Sequence, residues 1–97
     1  NLFHIVLNNY AHDSVGGQPT VADQISLTKI AKACSYEFVE GPIKNKEEII
    51  KVVKKFNLLS GMRFAEIIVS KGSRSDLGRP KEKPIYNKNV FISKLRD

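Results

Sequence analysis

The chain lacks a second cysteine. With Cys34 alone in 97 residues it can close no internal disulfide, and a single thiol suits a reducing cytoplasm better than a secreted scaffold. It also lacks any apolar run near the roughly 18 residues of a membrane span, and any signal-peptide pattern, so no membrane partner is expected. Acidic residues are in deficit: 10 Asp+Glu stand against 16 Lys+Arg, for a net charge of +6. Such a charge raises the question of nucleic acid. The basic residues are scattered, however, with no Arg-rich run and no alternation with aromatics, so a solvated basic surface is expected and nucleic acid is not. An initial Met is missing too. Asn1 leads straight into the apolar Leu2-Phe3, whereas first residues usually fray, so these 97 residues are expected to be a piece of a longer chain.

What is present is an ordinary globular balance, 41% hydrophobic and 27% charged. The length suits one domain, which buries roughly two-thirds of its unfolded surface. Residues 2–8 are apolar on both faces, with Phe3, Ile5 and Leu7 on one and Leu2 and Val6 on the other. That predicts a strand covered on both sides, as in a parallel sheet, with His4 a packed core residue rather than a ligand. Leu27, Ile30, Ala31 and Cys34 then recur at helical spacing behind Ser26, a good N-cap. Tyr36 to Val39 predicts a short strand closed by Gly41-Pro42. Asn45 followed by Glu48 resembles a capping box, and the helix it opens turns Ile49, Val52, Val53 and Phe56 inward and Lys51, Lys54 and Lys55 to water. Phe64 to Val69 reads as a third strand with Glu66 as its exception, residues 71–84 as a polar surface loop, and a last helix from near Asn87 with Val90, Phe91 and Leu95 inward. The order βαβαβα predicts an α/β fold, a parallel sheet with helices on its faces and right-handed crossovers. A fold class does not state a function.

In open parallel sheets, ligands sit beyond the carboxyl ends of the strands. The stretch HIVLNNYAHDSVGGQ, residues 4–18, is such an end: two amides close the strand and a loop of small and polar residues follows. Amide oxygens are neutral, hard donors that suit Mg²⁺, which takes few protein ligands and completes its octahedron with water and phosphate oxygens. Carbonyls that have left the ladder are further ligands, and Gly16 and Gly17 leave the backbone open to close approach. These residues point to a metal-bound phosphate.

HIVLNNYAHDSVGGQPT, residues 4–20, resembles the second half of the thiamine diphosphate-binding motif, which begins with Gly-Asp-Gly and ends in Asn-Asn or Asp-Asn after a strand. It looks most like the phosphonopyruvate decarboxylases, with the sulfopyruvate decarboxylases close behind. In that group the strand is followed by a His, an acidic-Ser step and Gly-Gly-Gln, matched by His12, Asp13-Ser14 and Gly16-Gly17-Gln18. The resemblance continues in IAKAC and returns in GSRSDLGRP, residues 72–80. It implies that residues 1–97 are the C-terminal portion of a diphosphate-side domain, with thiamine diphosphate and Mg²⁺ as cofactors. It further implies a small-molecule 2-oxo acid substrate and a parent that is a homo-oligomer, at least a dimer, with sites between chains.

Carried over by residue, the resemblance makes Asn9 a side-chain ligand of Mg²⁺ and Ala11 a carbonyl ligand, with Asn8 the structural first member of the pair. Ala11, His12, Asp13 and Ser14 would line the cofactor diphosphate, chiefly through the backbone. His12 and Gln18 are candidates for the catalytic pocket, and His12 equally for ordering the turn. Arg74 and Arg79 are read as holding the C-terminal loop rather than binding a substrate phosphonate. Gly-Asp-Gly does not occur in the chain, and the glutamate that activates the aminopyrimidine ring belongs to another domain. The piece alone is therefore not expected to hold the cofactor tightly or to turn over. The implied parent is a carbon-carbon lyase converting phosphonopyruvate to phosphonoacetaldehyde and carbon dioxide, with sulfopyruvate as the alternative acid. Two other readings stand beside it: a non-catalytic basic α/β binding module, and an assembly domain that has lost its cofactor.

Overall fold

A computed structural model describes residues 1–78 and 80–96. Its elements are β1 (Leu2–Asn8), β2 (Ala11–His12), β3 (Gln18–Pro19), α1 (Leu27–Ala33), β4 (Phe38–Ile43), α2 (Lys46–Asn57), β5 (Met62–Ile68) and α3 (Pro84–Arg96). The three long strands form a parallel sheet in the order β1-β5-β4, and β2 and β3 make a small antiparallel pair. The α/β class and the parallel pairing follow the sequence reading.

The strand order places the helices. From β1 the chain skips a position to β4 and then steps back to β5, so right-handed crossovers in opposite directions put α1 and α2 on opposite faces. Both helices start where the sequence predicts. Ser26 Oγ accepts the Lys29 N–H at 3.3 Å, and Asn45 Oδ1 accepts that of Glu48 at 2.9 Å. The core lies under α2, where Ile43, Phe56, Ala65 and Ile67 are buried and Phe3, Ile49 and Val52 pack against them. Phe3 meets Phe56 edge-on, with ring centroids 5.2 Å apart.

One charge enters this core without a sequence signal. Arg63, 9% exposed, gives Nη1 to the carbonyls of Phe56 (2.8 Å) and Leu59 (2.6 Å) at the end of α2, and Nη2 to Asn1 Oδ1 at 2.6 Å. A cation on the last carbonyls of a helix is favourably placed against its dipole. The guanidinium also lies over the Phe3 ring, 5.6 Å from its centroid.

Four expectations are corrected. Within these residues β1 is not covered on both sides but lies at the sheet edge, as a strand expected to be interior only in a longer chain would: Leu2 and Ile5 are exposed and Leu7 is 66% exposed, while β5, in the middle, is buried from Arg63 to Ile67. Apolar faces show what a strand is suited to, and neighbours decide whether it is covered. His4 is accordingly exposed, not packed in a core; its Nδ1 pairs with Tyr36 Oη at 2.9 Å and its ring meets Phe64 edge-on. The strand expected to close at Gly41-Pro42 runs through to Ile43, with a register shift between Glu40 and Ile43 that absorbs the irregular pair. The last helix begins at Pro84, a favoured first position, and leaves Val90, Phe91 and Leu95 exposed. Its apolar residues are spread around the helix instead of forming one stripe, so no face directs it inward.

Candidate functional site

The backbone leaves β1 through two successive Asx turns. Asn8 Oδ1 accepts the N–H of Tyr10 and Asn9 Oδ1 that of Ala11, each at 3.0 Å. Between them Tyr10 takes φ 58°, a left-handed conformation that costs an ordinary residue roughly 1–2 kcal/mol and that these bonds hold in place. The chain then doubles back: β2 pairs with β3, Ala11 opposite Pro19 and His12 opposite Gln18. A 3-10 turn over Asp13–Val15 joins them. Gly16 and Gly17, at φ 81° and 71°, complete the reversal, a pair of left-handed positions that glycine takes readily. The Gly17 N–H closes it on the His12 carbonyl at 3.0 Å.

The side-chain nitrogens of the two asparagines reach in different directions. Asn8, 6% exposed, gives Nδ2 to Glu66 Oε1 of β5 at 2.8 Å. Asn9 gives Nδ2 to Asp13 Oδ2 at 2.7 Å, and the same oxygen accepts the Gly72 N–H at 3.1 Å. The loop after β1 is thereby tied to the loop after β5. Asp13 of the first sequence motif and Gly72 of the second thus meet beyond the carboxyl ends of adjacent strands.

The structure brings the expected site residues into one loop. Asn9 and Ala11 share a turn. Pro19, opposite Ala11, has no N–H to give, so the cross-strand partner makes no claim on the Ala11 carbonyl. The Asn9 amide oxygen keeps a second lone pair. Two neutral oxygens in one turn suit two positions of a Mg²⁺ octahedron and leave the rest for water, phosphate or other protein oxygens. Among the described residues, no three His, Cys, Asp or Glu side chains gather to hold a metal ion. His12 and Gln18, as a directly opposed cross-strand pair, project to the same side of the small hairpin. Both are exposed, as are Asp13 and Ser14.

Arg74 does not join them. Its Nε and Nη2 hold Asp76 at 2.9 and 2.6 Å in an exposed loop. This pairing raises the guanidinium pKa and holds the Asp76 carboxyl below its usual value. Arg79 lies outside the described residues. Two grooves, one beside Glu40 to Ile43 and one between α1 and the His4–Phe64 face, include none of residues 9–18. Sequence reasoning missed the roles of Glu66 and Gly72. A carboxylate in an otherwise apolar strand was the available signal for Glu66, and for Gly72 the signal was only its place at the head of the motif at 72–80.

The 84 matched residues of the phosphonopyruvate decarboxylase of Streptomyces viridochromogenes are 33% identical to this chain. The chain is similar to phosphonopyruvate decarboxylases. The match covers 87% of the chain and 21% of that decarboxylase. The phosphonopyruvate decarboxylase of Streptomyces hygroscopicus matches over the same shares at 32% identity. The chain thus spans about a fifth of the length of these decarboxylases. No protein-family model and no solved structure matches it. The resemblance read from residues 4–20 and 72–80 agrees with this similarity to phosphonopyruvate decarboxylases over most of the chain.

Proposed function

We propose that the chain is the C-terminal portion of the diphosphate-side domain of a thiamine diphosphate- and Mg²⁺-dependent 2-oxo acid decarboxylase, whose full-length parent converts phosphonopyruvate to phosphonoacetaldehyde and carbon dioxide. The observation that carries the reading is the loop after β1, where Asn9 and Ala11 share one turn tied by Asp13 to Gly72. The names of the similar decarboxylases support it.

When bound, the thiazolium ring supplies the electron sink that a 2-oxo acid lacks as carbon dioxide departs. The chain's own residues anchor and orient. Asn9, through its side-chain oxygen, and Ala11, through its carbonyl, would hold Mg²⁺. The backbone from Ala11 to Ser14 would face the diphosphate. His12 and Gln18 stand on the exposed side of the hairpin, toward substrate, and their hydrogen-bonding groups suit a phosphonate or a sulfonate alike, so sulfopyruvate is the alternative acid. The parent is cytoplasmic and at least a homodimer on this reading, and the isolated 97 residues are inactive.

Carbon dioxide release by the full-length parent from each acid, with and without Mg²⁺ and thiamine diphosphate, tests it. Release that needs both cofactors is expected, and the faster acid identifies the substrate. Release from neither acid, or release indifferent to the cofactors, would overturn the assignment.

A further inference from the structure

We propose that Glu66 is a positioning residue for the loop that presents Asn9 and Ala11, acting through Asn8; its effect on cofactor affinity rests on the function proposed for that loop. Glu66 is 5% exposed in the central strand. A carboxylate so placed is costly unless hydrogen-bonded. Asn8, buried beside it at the end of β1, donates Nδ2 to its Oε1 at 2.8 Å. The other end of the same amide is also committed, Oδ1 accepting the Tyr10 N–H at 3.0 Å.

An amide held at both ends has a fixed polarity. Rotating it by half a turn would set its oxygen against the carboxylate and its NH₂ against a backbone N–H, and both contacts repel. Glu66 therefore decides which way the Asn8 amide faces. The amide in turn holds Tyr10 at its left-handed φ of 58°, the point where the backbone swings out of the sheet and delivers the second Asx turn, with Asn9 and Ala11. The link joins residues 58 apart in sequence, so the central strand sets the loop's direction without touching a ligand. Partners of this kind are worth about 10–100-fold in metal affinity where they have been removed.

The test uses the full-length parent with Glu66→Leu and Glu66→Gln, read by hydrogen exchange of the segment 9–18 and by Mg²⁺-dependent binding of thiamine diphosphate. Glu66→Leu is expected to speed exchange in that segment about 10-fold and to weaken Mg²⁺ by a similar factor, with kcat at saturation changed less than twofold. Glu66→Gln can turn its own amide oxygen to Asn8 Nδ2 and should restore most of both. Wild-type exchange in the Glu66→Leu protein would overturn the proposal. So would failure of Glu66→Gln to recover.

Should Glu66→Leu not fold, Asn8→Ser serves instead. It keeps an oxygen for the Tyr10 N–H but gives up the donor to Glu66, so faster exchange supports the proposal and unchanged exchange overturns it. Faster exchange with unaltered affinity in both Glu66→Leu and Asn9→Ala would leave Glu66 as the positioning residue and remove the cofactor role of the loop.

Discussion

Asn9 does two jobs with one amide. Its nitrogen holds Asp13 and its oxygen holds the Ala11 N–H, which leaves that oxygen a second lone pair. Asn9→Ala in the parent removes the proposed metal contact and the Asp13 tie together. It is expected to weaken Mg²⁺ and cofactor binding by about 10-fold or more while changing kcat at saturation less. A Mg²⁺ titration of cofactor binding measures it, and unchanged affinity would contradict the assignment. At this scale the sequence was informative within a local window. Two amides closing an apolar strand marked the turn, because Asx turns are made over two residues. Their partners, Glu66 and Gly72, lie far along the chain, and only strand register brings them within reach.

At the scale of elements, periodicity located α1, α2 and β5 because each has a face packed against something. It failed for β4 and α3. Gly41-Pro42 reads as a stop, yet the neighbouring strand accommodates it as an irregularity beside Glu66. Gly41 takes φ 118°, and a Cβ there would lie 2.6 Å from the Glu66 carbonyl oxygen. No side chain fits without moving β4 off β5. Gly41→Ala is therefore expected to destabilise the protein by about 1–3 kcal/mol, seen as a lower denaturant midpoint at an unchanged slope. An unshifted midpoint would show that β4 yields more easily than its packing suggests. For α3, apolar residues distributed around the helix gave a helix but no inward face.

Among the described residues the main sheet has two edges, β1 and β4, and only β1 exposes large apolar side chains. β1 offers an unpaired parallel edge carrying Leu2, Ile5 and Leu7, all exposed. Edges of this kind invite pairing with another strand. The 97-residue chain by itself is expected to self-associate as concentration rises, and Leu7→Lys should suppress this. Sedimentation velocity across a concentration series would show it, and a clean monomer at high concentration would count against an adhesive edge. Strand order was the part least legible in the sequence, since the run of residues 2–8 looked fit for the centre and hydrophobicity alone does not say which strand takes it.

Because β5 lies between β1 and β4, the strand that joins the sheet is the last of the three to be synthesised. A ribosome releases both outer strands and both crossover helices before their common neighbour exists. Throughout that interval β1 and β4 lack their shared partner β5, and apolar strands in that state are where chaperone capture and aggregation compete with folding. Within these residues, a chain halted before Met62 carries the small β2–β3 pair but none of the pairing that builds the three-stranded sheet.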